Sequence, residues 1–190
     1  MEDFLNYTDA AKSHILTLEM WNNLYNTFIA TVKIKLPILL FSSRDDGFSF
    51  LTFYRKVANY TYTILLVSTS DSQIFGALCS QDWNKRIPTN KRKFSYFGNG
   101  ETFVFKMTEN KMSVYGWTEK KKDGVDSFIY GDDTTIIVGG GTTGAIRFVN
   151  GDLSKGYTAH SETFGNEPLI TSSTEISEFT TGILECYGMS

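Results

Sequence analysis

Histidine, cysteine and proline are scarce in this chain of 190 residues, which holds two, two and three of them. His14 and His160 are isolated and far apart, in no His-Glu-x-x-His or comparable ligand spacing, so no metal or other cofactor is expected. Cys79 and Cys186 cannot make a disulfide framework, nor by themselves a zinc centre. Each lies in an apolar stretch, which reads as two reduced, buried thiols, and nothing nearby in sequence would activate either one toward oxidants. No apolar run approaches the roughly 18 residues of a membrane span. The acidic start Met1-Glu2-Asp3-Phe4 lacks the basic-then-apolar order of a secretion signal, so a cytoplasmic placement is expected. The Asn-x-Thr triplets at Asn6 and Asn59 are then chance matches. A charge excess is missing too. Eighteen basic and 21 acidic residues are mixed along the chain for a net charge of −3, giving no reason to expect a nucleic-acid partner.

Aromatic residues are plentiful: 15 Phe and 10 Tyr, with 41% of the chain hydrophobic, supply a compact core. Leu18, Trp21, Tyr25, Phe28 and Val32 fall at helical spacing, with Ser13 or Thr17 as cap and Pro37 beyond the end. Gly47 opens a second helix in which Phe50, Tyr54 and Val57 share a face and Arg55 and Lys56 lie off it. Short strands are expected over residues 36–41, 63–68, 73–80, 102–107, 112–117, 127–130, 134–138, 145–149 and 179–187, separated by Gly, Asp and Asn turns. Residues 151–156 read as one of the loops. The order predicts an α+β domain occupying residues 1–190, core about 15–189, with two antiparallel sheets packed as a sandwich and helices outside or at the ends.

The chemical inventory is thin. His160-Ser161-Glu162 contains the residue types of a hydrolase triad, but adjacent side chains diverge and no Gly-x-Ser-x-Gly elbow is present. Gly139-Gly140-Gly141-Thr142-Thr143-Gly144 lacks the Lys-Ser/Thr of a P-loop and leads into a strand rather than a helix. Gly98-Asn99-Gly100 also precedes a strand. Both glycine runs are expected to be tight turns. Glu101, after those glycines, is expected to bond turn amides and fix the loop, or else to touch a partner. Asp152 and Gly156 pose the same choice. Lys85-Arg86, Lys91-Arg92-Lys93 and Lys120-Lys121-Lys122 are basic clusters in expected loops, either ordinary solvated charge or contacts to an anionic surface such as a phosphoinositide membrane.

One order of motifs runs through nearly the whole chain from about residue 15. Leu39-Leu40-Phe41-Ser42-Ser43, Ile74-Phe75-Gly76-Ala77, the central Tyr96-Phe97-Gly98-Asn99-Gly100-Glu101-Thr102-Phe103, Tyr115-Gly116-Trp117, Gly151-Asp152-Leu153-Ser154-Lys155-Gly156 and Glu162-Thr163-Phe164-Gly165-Asn166 together resemble the TLDc domain of the oxidation-resistance family. Ile136-Ile137-Val138-Gly139-Gly140-Gly141 and Phe148-Val149-Asn150-Gly151-Asp152 look most like the TLDc half of Skywalker-type TBC/TLDc proteins, which act in vesicle traffic. The resemblance implies a non-catalytic module that protects against oxidative stress and binds the vacuolar H⁺-ATPase. It makes Gly98, Gly100, Glu101, Gly140, Asp152 and Gly156 candidates for partner binding or loop shaping. The alternative it leaves is a trafficking adaptor whose Lys91, Arg92, Lys93, Lys120, Lys121 and Lys122 touch anionic vesicle or lysosome-type membranes. The finger motifs of a TBC domain are absent from this sequence, so GTPase activation is not expected. Ser161 stands where relatives often carry a cysteine, which argues against thiol scavenging. The sequence closes at Ser190, after the last strand, so plugging of the pump by a C-terminal helical extension is not expected either.

Overall fold

A computed structural model describes residues 5–87, 95–108, 111–119 and 126–190. Among these residues, ten antiparallel strands run as β1 (Pro37–Ser42), β2 (Tyr62–Thr69), β3 (Ile74–Ser80), β4 (Phe103–Thr108), β5 (Lys111–Tyr115), β6 (Ile129–Gly131), β7 (Thr135–Val138), β8 (Ile146–Val149), β9 (Asp152–Ala159) and β10 (Ile176–Met189). The helices are α1 (Leu18–Asn26), α2 (Ala30–Lys33), α3 (Ser43–Asp46) and α4 (Phe50–Val57). The first sheet is ordered β5-β4-β3-β2-β10-β1 and the second β10-β9-β8-β7-β6. The expected sandwich is therefore present, and β10 belongs to both of its sheets: residues 176–180 pair with β9, and residues 181–188 pair with β2.

Burial on both faces explains the unbroken apolar run in β2. Leu65 and Val67 point between the sheets, among Phe75, Val104, Phe148 and Phe179, while Ile64 and Leu66 point outward under Trp21 and Leu24 of α1. The alternation of β4 works the same way: Phe103, Phe105 and Met107 join the cluster beneath α1, and Val104 joins the cluster between the sheets. Helix α4 buries Phe50, Phe53, Tyr54 and Val57 in the inter-sheet core, with Arg55 and Lys56 exposed.

Three expectations need correction. The first helix stops at Asn26 and resumes as α2, because the Thr27 hydroxyl donates to the Leu24 carbonyl at 2.6 Å and competes with the helical ladder. Thr17 is its cap, accepting from the Met20 amide at 3.2 Å. Gly47 closes α3 at φ +72° instead of opening α4, whose cap residue is Ser49. Residues 152–159 form β9 and not a loop. Gly156 looks like a turn residue but sits within that strand because a Cβ there would lie 2.6 Å from the Phe179 ring and from the Arg147 carbonyl.

The N-terminal layer is fastened by one acid. Glu185 of β10 is fully buried on the outer face of the first sheet. Its carboxylate accepts from the Ser13 hydroxyl at 2.7 Å, the His14 amide at 2.8 Å and the Tyr187 hydroxyl at 3.0 Å, with His14 Nδ1 3.4 Å away. Two sheet edges are also covered. Leu39 and Ser42 of β1 donate their amides to Asp9 and Asp46, both at 3.0 Å, and Pro37 has no amide to offer. Phe97 closes β6 through reciprocal backbone bonds with Ile129 of 2.8 and 3.0 Å.

Removing the Glu185 carboxylate leaves the buried Tyr187 hydroxyl, the half-buried Ser13 hydroxyl and the His14 amide without this acceptor. Glu185→Ala is expected to lower unfolding stability by about 3 kcal/mol, with Glu185→Gln in between, as read from denaturant melts. Limited proteolysis should cut Glu185→Ala before residue 17 faster than wild type. Equal cleavage would refute the fastening role.

Candidate partner-binding surface

Candidate residues from distant parts of the sequence meet at one end of the sandwich, around three aromatic rings. Phe128 packs edge-on against Trp117, with centroids 5.6 Å apart, and tilts against Phe164 at 6.5 Å. The glycine loops are shaped to fit these rings. Gly98, at φ +93°, leaves only 3.1 Å between a Cβ and the side chains of Phe128 and Ile129, and Gly100 leaves 2.4 Å to the Trp117 ring. Gly139, at φ +86°, donates its amide to the Phe128 carbonyl at 2.7 Å and lies against Ser161 and Phe164. Gly140 donates to the Thr163 hydroxyl at 2.8 Å and accepts from the Ser161 hydroxyl at 2.8 Å. Three loops are thus locked to one another by backbone bonds and ring contacts, so the exposed surface of Asn99, Gly100, Gly141 and Thr142 is held in a defined shape.

Asn99, which sequence reasoning passed over, organises the first loop. Its side-chain oxygen accepts from the Glu101 amide at 2.9 Å and the Ser80 hydroxyl at 2.8 Å, and its own amide donates to the Ser80 oxygen at 3.1 Å. The signal was present in Gly-Asn-Gly, since Asn caps turns through its own side chain. The Glu101 carboxylate accepts instead from the Tyr62 hydroxyl of β2, at 2.7 Å, tying the loop to the first sheet. Glu101 and the hydroxyl's desolvation both raise the Tyr62 pKa above its ordinary value.

The remaining candidates lie elsewhere. Asp152 starts β9 beside Ser49 at the foot of α4, and its carboxylate accepts from the Ser154 amide at 2.7 Å. Gly156 is inside the sandwich under Phe179. Lys91, Arg92, Lys93, Lys120, Lys121 and Lys122 lie outside the described residues. Of the third basic cluster, Lys85 is exposed, and the Arg86 guanidinium stacks 4.0 Å over the Tyr54 ring.

The triad-like residues serve the loops. Ser161 is fully buried and committed to Gly140, whereas His160 is exposed with Nδ1 2.8 Å from the Asn166 carbonyl oxygen. Both thiols are enclosed in the inter-sheet core. Burial pushes Cys79 up to about 12, and burial together with nearby Cys79 pushes Cys186 well above its ordinary value. Among the described residues there is no cluster of three His, Cys, Asp or Glu able to hold a metal, and no helix long and apolar enough to cross a membrane.

A family model described as the TLDc domain matches residues 10–190. The chain is 34% identical over 159 residues to the GTPase-activating protein skywalker of Drosophila melanogaster, covering 80% of this chain and 26% of that protein. It is 27% identical over 221 residues to TBC1 domain family member 24 of Xenopus tropicalis, with 93% and 38% coverage. Oxidation resistance protein 1 of Bos taurus is 33% identical over 132 residues, with 69% and 14% coverage. The chain therefore spans well under half the length of these relatives.

Two outcomes are expected. Gly100→Ala should displace the Trp117 ring, shifting tryptophan fluorescence and lowering stability by about 1–3 kcal/mol, whereas Gly116→Ala, with open space around it, should stay within about 0.5 kcal/mol of wild type. Ellman's reagent at pH 8 should find both thiols unreactive until guanidinium unfolds the chain. The raised folded-state thiol pKa also means that stability declines as pH climbs from the ordinary thiol range toward 12.

Proposed function

The chain belongs to the TLDc domain family, and from that membership we propose that it is a non-catalytic binding module acting in oxidative-stress protection by docking on the peripheral sector of the vacuolar H⁺-ATPase. The observation that carries this reading is the family match over residues 10–190. Likeness to an oxidation resistance protein supports the stress role. The site supports a docking role over a chemical one: its serine, threonine and asparagine side chains hold loops together, and its thiols stay protonated inside the core. The interlocked loops offer a partner a pre-organised surface, which lowers the entropic cost of association.

Purified chain immobilised on beads tests the proposal against a lysate containing the pump. Pump peripheral subunits should be enriched by wild type and by Gly116→Ala. Recovery should fall about tenfold or more with Gly100→Ala and Glu101→Ala. Equal recovery on all four, or none on wild type, counts against it.

A second reading, favoured by the 34% identity to skywalker, is a vesicle-trafficking adaptor without GTPase-activating activity that touches anionic membranes through Lys91, Arg92, Lys93, Lys120, Lys121 and Lys122. Flotation with phosphoinositide liposomes should then show binding that weakens steeply with salt, because surface charge is screened within about 10 Å at 0.1 M. Absent or salt-insensitive binding eliminates it.

A further inference from the structure

We propose that Met20, Met107 and Met112 form an oxidation site for peroxides, at which conversion of thioether to sulfoxide loosens α1 from the first sheet. The inference goes beyond pump docking and stands whether or not that docking occurs.

The first observation is where the methionines sit. The chain has five, and three of them line one groove of about 920 Å³ beside α1. Met107 of β4 and Met112 of β5 are paired directly across the ladder, and Met20 lines the groove from the helix. All three pack in the apolar layer that holds α1. Met107 is one of its buried members, 6% exposed, while Met20 and Met112 are half-buried against it. Met189 belongs to the same layer but is 2% exposed and lies outside the groove.

The second observation is access. Thr17, Glu19, Asn23, Ser72, Thr108 and Lys111, all exposed, contribute to the lining, so water and small dissolved oxidants reach the two half-buried sulfurs. A thioether reacts without first losing a proton, so access to the sulfur decides which methionine is oxidised. The two thiols, fully buried in the inter-sheet core, have no such access.

The chemistry then acts on the packing. The Met20 or Met112 sulfur takes one oxygen atom from hydrogen peroxide: the O–O bond breaks, the sulfur gives up two electrons, and the peroxide leaves as water. A flexible apolar side chain becomes a polar, chiral one. Holding the new S–O dipole in an apolar layer without a donor costs free energy. The half-buried sulfoxides therefore turn toward the water of the groove and withdraw from apolar neighbours such as Ile15 and Ile74. Met107 cannot reach water while α1 stays in place, so it is oxidised second, after the first pair has loosened the helix. Methionine also fills irregular gaps in many cores, but gap filling alone predicts no reversible release of the helix.

The full chain is titrated with hydrogen peroxide, and each methionine is followed by peptide mass spectrometry. Met20 and Met112 should each gain one oxygen atom about fivefold or more faster than Met189, with Met107 following them. At the stage where only Met20 and Met112 are oxidised, proteolysis within residues 5–26 should be about threefold or more faster. The thermal midpoint should fall by about 3 °C or more. Two methionine sulfoxide reductases, one for each epimer, should restore both readouts with a dithiol that supplies the two electrons and becomes a disulfide. The double variant Met20→Leu, Met112→Leu, close in volume to the native side chains, should keep its untreated cleavage rate in peroxide. If that variant melts early, untreated and repaired wild type supply the comparison in its place. The proposal is overturned if Met189 is oxidised as fast as the groove pair, or if the oxidised chain is cut and melts like the untreated one. It is also overturned if repair fails to restore the chain, or if the folded leucine variant loosens in peroxide as much as wild type. Loss of pump recovery in the bead assay changes none of these readouts, so the two proposals fail separately.

Discussion

Strand β10 is the constraint on which the sandwich depends, because its fourteen residues are shared by both sheets. Its first part completes the second sheet beside β9, and its last part sits between β2 and β1. The strand that closes the fold comes from the end of the sequence and meets partners from its beginning, such as Pro37 opposite Met189. Contacts across so much chain carry loop-closure entropy and make closure a non-local event. The residues of β10 reflect its double duty. Phe179, Leu184 and Cys186 fill the space between the sheets, while Tyr187 and Met189 pack under the N-terminal layer.

Glu185 shows what that position demands. A carboxylate removed from water is costly unless its oxygens are bonded. Here it is bonded by a hydroxyl and an amide of the segment before α1 and by the hydroxyl of Tyr187 two residues along the strand. An apolar residue at 185 would pack as well, but would leave Ser13 and the His14 amide without this acceptor. The acid thus trades generic burial for a defined position of residues 13–14, and through them of α1, whose Trp21 ring meets Tyr187 at 4.8 Å. The loop end uses polar groups in the same way: Ser161, Thr163 and Asn166 are all fully buried and bind loop backbone. Side chains that resemble a catalytic set in sequence are consumed in holding shape.

Period and burial made most of the fold legible. Strict alternation in β4 and the continuous apolar run in β2 each report how many faces are covered, and α4 declares its buried stripe. Strand β9 was hidden because Gly156 has no side chain to report burial. The glycine is there to admit Phe179 from the neighbouring strand, and a single chain read locally cannot display a cross-strand contact. The role of Glu185 was hidden for a related reason, since its Ser13 donor lies 172 positions away. At the candidate surface, Gly98, Gly100 and Gly140 were visible as turn residues. That Gly98 meets Phe128, Gly100 meets Trp117 and Gly140 meets Thr163 depends on pairings between strands and could only be seen folded. Asn99 was legible in principle from its own turn chemistry.

The β1 edge shows how much of the fold is committed to guarding one ladder. Covering β1 requires residues from two segments outside it, Asp9 and Asp46, each with further bonds of its own: Asp9 to Lys12 at 2.7 Å and Asp46 to Lys56 at 2.7 Å. Lys12 holds the Asp9 carboxyl below its ordinary range, so the acid stays ionised as an acceptor for the Leu39 amide. A chain that commits two salt-bridged acids to one edge is organised against unplanned strand pairing there.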